Sequence, residues 1–176
     1  MNYRVRETSG SAAGESRRGL PPPDPRFRLD PDAGTSAAVT PRTEAPALER
    51  GDLAGDALTV SGADRECVVA AISLDGAPLR ESGRMLVLHL TNLSATDAEW
   101  DDDCTIRSWG RFPLLVERGT ARISIAATEP RRVVALDADG NPLCDIPSVF
   151  ENGRVSFLAD VSASPPAGRV CYEIVR

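Results

Sequence analysis

The sequence predicts an all-β fold, an antiparallel β-sandwich of jelly-roll or immunoglobulin-like type, with a disordered N-terminal tail. Three observations carry this expectation. Short apolar runs are separated by Gly, Pro and Asp turns along most of the 176 residues. No segment holds an i, i+3, i+4, i+7 apolar stripe of helical length. In the stretch from Trp109 to Ile125, Ala121, Ile123 and Ile125 alternate with Thr120, Arg122 and Ser124, the period-2 signature of a half-buried strand. About ten to a dozen such strands are expected, enough for two packed sheets.

Residues 1–25 are polar, rich in Ser, Gly and Arg, and close on a Pro triplet. Such a segment cannot bury enough apolar surface to offset its ordering entropy, so a disordered tail or linker is expected there. The sandwich domain is expected over 26–176. Phe27-Arg28-Leu29 and Ala37-Ala38-Val39 read as strands around a turn at 30–34. Thr40-Pro41-Arg42-Thr43 leads into a loose stretch containing Gly51 and Gly55. Strands follow at 58–60 and 67–72, then a turn over 73–78, because Pro78 cannot continue a central ladder. The run 85–90 is the most apolar and is expected at the centre of a sheet. Residues 92–103 read as a polar, acidic connection.

The block after it is expected to be a core hairpin. Leu114-Leu115-Val116 forms one strand, Glu117-Arg118-Gly119 the turn, and 120–125 the second strand, with Trp109 as anchor. Strands at 133–136, 143–146, 155–158 and 170–175 complete the series, with turn chemistry at 137–142.

Composition narrows the function. Hydrophobic residues make up 41% and aromatics 5%, so Val, Leu, Ile and Ala must fill the core. All 20 basic residues are Arg, and Lys and Gln are missing, the usage of a GC-rich, bacterial coding sequence. A net charge of −6 argues against a nucleic-acid partner, which selects for a basic footprint. No apolar run is long enough to span a membrane, so no membrane partner is expected. No apolar segment of signal-peptide type opens the chain.

Few residues invite chemistry. His89 is the one histidine and any catalytic triad would have to use it. Its place in the apolar run 85–90, opposite Leu86, Leu88 and Leu90 by strand alternation, fits a solvent-facing or satisfied core histidine better than a base. Asp101, Asp102 and Asp103 with Glu99 carry oxygens suited to calcium, yet consecutive strand residues point to alternate faces and cannot converge. The segment from Asp137 to Asn141 starts like an EF-hand loop, but Gly140 falls at the fourth position and Ser148 at the twelfth, so it reads as a turn. Cys67, Cys104, Cys144 and Cys171 are widely spaced, without zinc-type pairs, and three disulfide connectivities remain open; reduced thiols are favoured. No cofactor, metal or catalytic residue is expected. Asn92-Leu93-Ser94 matches a glycosylation sequon, which carries little in a bacterial protein.

Trp100 and Trp109 are the candidate carbohydrate-contact residues, because exposed indoles stack on sugar rings. The competing role is a packing anchor. That role weighs more for Trp109, which precedes Gly110 and an apolar strand, than for Trp100, which lies among acids.

An ordered series of motifs carries a resemblance. It runs through Thr40-Pro41-Arg42-Thr43, then Ile72-Ser73-Leu74-Asp75-Gly76-Ala77-Pro78-Leu79, then Leu86-Val87-Leu88-His89-Leu90-Thr91-Asn92. Trp109-Gly110, Pro113-Leu114-Leu115-Val116, Ala135-Leu136-Asp137 and Tyr172-Glu173-Ile174-Val175-Arg176 continue it. The series resembles the C-terminal β-sandwich region of large bacterial glycoside-hydrolase-like proteins, over roughly residues 26–176. The resemblance implies a non-catalytic accessory module associated with polysaccharide degradation, detached or separately encoded. It would pack against an adjacent catalytic domain or bind glycan weakly, outside the cell or in the periplasm if it is the tail of a secreted enzyme. No catalytic residue is carried over. The alternative is a structural or adhesive sandwich that binds a protein partner.

Overall fold

The computed structural model describes residues 26–101, 105–163 and 168–176; the tail expected at 1–25 lies outside them. In chain order the first strands are β1 (Arg26–Asp30), β2 (Thr35–Val39), β3 (Thr43–Leu48), β4 (Gly51–Ala54), β5 (Leu58–Ala63) and β6 (Cys67–Ser73). Next come β7 (Arg84–Leu90), β8 (Leu93–Thr96), β9 (Glu99–Trp100), β10 (Ile106–Ser108), β11 (Arg111–Val116) and β12 (Thr120–Ala126). The last are β13 (Arg132–Leu136), β14 (Pro142–Ile146), β15 (Ser148–Glu151), β16 (Arg154–Asp160) and β17 (Cys171–Val175).

Two antiparallel sheets pack face to face. The larger has the order β1-β2-β3-β6-β7-β17-β13-β14 and the smaller β15-β16-β12-β5-β4. β7 is fifth of eight, the central place its apolar content predicts. Its side chains alternate: Met85, Val87 and His89 are buried in the core, while Leu86, Leu88 and Leu90 face outward. Across the interface lie Leu58 and Val60 of β5, Ala121, Ile123 and Ile125 of β12, and Val155, Phe157 and Ala159 of β16, all buried. Phe157 meets Tyr172 of β17 with ring centroids 5.2 Å apart at 54°, the tilted arrangement aromatic pairs prefer. The Tyr172 hydroxyl donates to the Arg169 carbonyl at 3.1 Å and accepts from the Asp160 N–H at 3.2 Å. Burial pushes this phenol up to about 12.

A buried carboxylate ties the sheets together. Glu44 of β3 is 1% exposed and accepts N–H bonds from Asp56 (2.7 Å), Ala57 (2.7 Å) and Leu58 (2.9 Å) at the β4–β5 turn. Gly55 makes room for it, since a Cβ there would stand 1.5 Å from Glu44 Oε1. Carboxylates also close the turns. Asp75 accepts from Ser73, Ala77, Ser82 and Gly83, which holds its carboxyl well below the usual range, Ser82 contributing most. Asp137 accepts from Asp139, Asn141 and the Asn141 side-chain amide, so the EF-hand-like text is the turn expected.

Strand content exceeds the expectation, with seventeen strands among the described residues. The stretch after Thr43, expected to be loose with Gly51 and Gly55, pairs as β3 and β4. Pro46 is partnered by Ala37 of β2 but interrupts the ladder toward β6, a gap its missing N–H explains. The connection at 92–103 contains β8 and β9. The largest correction concerns the core hairpin. β11 does not pair with β12: it pairs with β8, while β12 lies between β5 and β16. Glu117-Arg118-Gly119 is a crossing segment. It is drawn onto the small sheet by the Asp64 carboxylate accepting Thr120 N–H at 2.7 Å and by Val161 N–H donating to Gly119 O at 3.0 Å.

Candidate functional site

Between β7 and β12 the chain leaves the sandwich and returns as a two-stranded arm. β8 pairs with β11 and β9 with β10, and neither pair joins either sheet. The arm closes at its root through Glu117 N–H to Asn92 O at 2.8 Å and Thr91 Oγ1 to Glu117 O at 2.6 Å. Towards the tip, Asp101 N–H donates to Thr105 O at 2.8 Å. Thr96 Oγ1 donates to Pro113 O at 2.7 Å, Arg111 pairs with Asp97 at 2.8 Å, and Arg107 pairs with Asp101.

The register of the arm shifts between Arg111 and Leu114. Gly110 sits beside this shift with φ +68°, and a Cβ there would lie 2.4 Å from Thr96 O. Glycine is therefore what lets the two strands approach at this point.

Both candidate contact residues are on this arm. Trp100, on β9 opposite Ile106, is 59% exposed, and Trp109, between β10 and β11, is 80% exposed. The anchor role of Trp109 is therefore overturned, as is its place in a core hairpin: its indole stands in solvent because the strands on either side of it, β10 and β11, pair away from the sandwich. Trp100 pairs with Ile106, and Trp109 follows the end of β10 three residues further on. Phe112, which sequence reasoning passed over, is 81% exposed beside them. Every residue of β11 is exposed, although its apolar run reads as a buried strand.

The remaining candidates are elsewhere. His89 is 1% exposed, on the core face, with Nδ1 lacking a hydrogen-bond partner. It is thus neither the solvent-facing residue nor the fully satisfied one expected. Burial lowers its pKa, against the opposing fields of Asp64 and Asp160. The unfolded chain therefore binds a proton more readily, and stability falls as pH drops from the ordinary histidine value near 6.5 through the depressed folded value. Thermal melts should show this loss between neutral and mildly acidic pH, and His89→Leu should remove that part of the slope. An unchanged slope in His89→Leu would assign the acid sensitivity to other groups.

Cys67, Cys144 and Cys171 are free thiols, with Cys67 pushed up to about 11 by burial and so a poor thiolate. Cys104, Asp102 and Asp103 lie outside the described residues. No group of three or more His, Cys, Asp and Glu is placed to hold a metal ion among the described residues.

The arm thus concentrates exposed aromatic and aliphatic side chains on a paired scaffold. What it can do chemically is contact another surface. In comparisons with known proteins, no family model, no curated protein and no solved structure matches the chain.

Proposed function

We propose that this chain is a non-catalytic accessory β-sandwich module associated with polysaccharide degradation, contacting glycan weakly through the arm. The observation that carries the reading is the position of its two tryptophans, both strongly exposed on an element outside both sheets. Indole faces supply the apolar, polarisable surface on which the C–H face of a sugar ring stacks, and an exposed contact of this kind gives modest affinity. The ordered motifs that resemble the terminal sandwiches of glycoside-hydrolase-like proteins support the same context.

A second reading, a sandwich that packs against a catalytic domain or another protein, is favoured by the aliphatic residues Leu93, Leu114 and Val116 lower on the arm. Sugar stacking has no need of them. By register these three share one face with Ala95.

The test is binding to soluble β-glucan, xylan, polygalacturonate and α-glucan. Trp100→Ala and Trp109→Ala should each weaken binding about tenfold, in line with about 1–2 kcal/mol for a stacked ring. Because both indoles are exposed, folding stability should change by no more than about 0.5 kcal/mol. Polysaccharide binding that survives the double replacement would remove the proposed contact. Turnover of any of these polymers, abolished by one carboxylate substitution, would replace a binding module with an enzyme.

A further inference from the structure

We infer that a pocket at the end of the sandwich away from the arm binds a hexuronic acid residue, with its carboxylate on Arg26 and Arg80. The nature of the ring rests on the glycan reading; the charge rests on the pocket alone.

The pocket is a cavity of about 260 Å³ between β1, the β2–β3 turn, the β4–β5 turn and the connection from β6 to β7. It lies by the start of β7, whereas the arm begins past the end of β7 at Leu90. The length of that strand, about 20 Å, separates the two.

Charge is the first support. Asp56, on the β4–β5 turn, gathers three guanidinium groups at the rim. Arg28 is bonded to its carboxylate at 2.8 Å, Arg26 stands 3.8 Å from it, and Arg80 donates to its carbonyl at 2.9 Å. Arg154 lies behind them, donating to the carbonyl of Ala57 at 2.9 Å, and burial and then the charge of Arg80 lower its pKa against the field of Glu44. The other acid lining the pocket is Glu44, whose charge is taken up by three backbone N–H groups. Four guanidinium groups thus face two carboxylates, a local positive excess in a chain whose net charge is −6.

Spare donors are the second. Arg26 makes no hydrogen bond among the described residues and Arg80 makes one, so most of their N–H groups are open to an anion. The residue that gathers them is fixed from beneath, since Asp56 N–H donates to the buried Glu44 carboxylate at 2.7 Å. An anion meeting guanidinium forks already in place loses little in ordering them.

Shape is the third. Val39, Pro41, Pro78 and Leu79 give the pocket an apolar wall beside its cationic rim. Such a combination suits a ring with a C–H face and one carboxylate, whereas a bare inorganic anion makes no use of the wall.

The test is an amide NMR titration of the full chain with D-galacturonate and, at equal ionic strength, with D-galactose and inorganic phosphate. The amides of Ala57, Leu79 and Arg80 should shift to saturation at millimolar galacturonate and stay in place with galactose. Affinity should fall as salt rises. Arg26→Gln and Arg80→Gln should each raise the dissociation constant about tenfold, the size of one charge-assisted hydrogen bond. Arg122→Gln, the same change of charge on the outer face of β12, should leave it within about twofold. All three side chains are exposed, so the spectrum of the folded chain should persist. No shift at these amides, an Arg80→Gln chain that binds as tightly as the unsubstituted one, or galactose or phosphate matching galacturonate would each overturn the inference. Tryptophan emission that answers neutral polymer, with no galacturonate shift, would keep the arm and lose the pocket. Galacturonate shifts with no tryptophan response to any polymer would keep the pocket and lose the arm.

Discussion

Glu44→Ala should lower stability by about 2–5 kcal/mol, since it strands three backbone donors, of which those of Ala57 and Leu58 are buried and cost about 1–3 kcal/mol each as orphans. In a domain of this size that is a fall in melting temperature of roughly 5 °C or more. The carboxylate accepts from Asp56, Ala57 and Leu58 and bridges the sheets at the β4–β5 turn. Glu44→Gln should cost about half as much, because one amide oxygen still accepts while the NH2 group faces a donor. Gly55 offers no slack for repair: its Cα faces the carboxylate too closely for any side chain. Chemical denaturation gives the measurement. A change below about 1 kcal/mol for Glu44→Ala would mean that water replaces the carboxylate and that the turn is not held from the larger sheet.

Phe157→Ala should cost about 3–5 kcal/mol, the range for deleting a large buried ring. Phe157 is among the largest fully buried side chains and packs on Tyr172 across the two sheets. Its neighbour Leu158 points outward on the same strand and is exposed. Leu158→Ala should therefore change stability by no more than about 0.5 kcal/mol. This adjacent pair tests the register of β16 directly. Equal costs at the two positions would contradict the alternation on which the core is built.

The contrast between Phe157 and the arm shows which parts of the molecule were legible in the sequence. β12 and β16 each have one face in the core and one in solvent, so the chemistry of burial wrote a period of two into them. The Asp-, Gly- and Pro-rich turns at 30–34, 73–78 and 137–142 were legible for a similar reason, because their carboxylates bond the local backbone. β3 was missed because its text, Thr43-Glu44-Ala45-Pro46-Ala47-Leu48, carries little apolar character, and its ladder to β6 is interrupted at Pro46. His89 could be placed on the face opposite Leu86, Leu88 and Leu90, where it lies, but a lone polar residue in an apolar run does not say whether the second sheet covers that face. The arm was misread most. A continuous apolar run such as Leu114-Leu115-Val116 has the same text whether it is buried by its own fold or left for another surface. Pairing over 93–116 is long-range, and no local signal at Gly119 distinguishes a tight turn from a crossing segment.

The two candidate contact residues were found for a sound chemical reason, yet their environments were reversed in emphasis. Trp109, expected as an anchor, is the more exposed of the two. Its block, which carries the most distinctive text in the chain, divides at Gly119 into a solvent-standing strand and a core strand.

Tryptophan emission tests the central claim most directly, because both indoles of the chain report from the arm and from nowhere else. In buffer the account predicts the red-shifted emission of solvated rings, moving to the blue as soluble polysaccharide is titrated in, with the change lost in Trp100→Ala, Trp109→Ala. Blue-shifted emission in buffer alone at concentrations where the chain is monomeric, or no response to any of the four polymers, would contradict it.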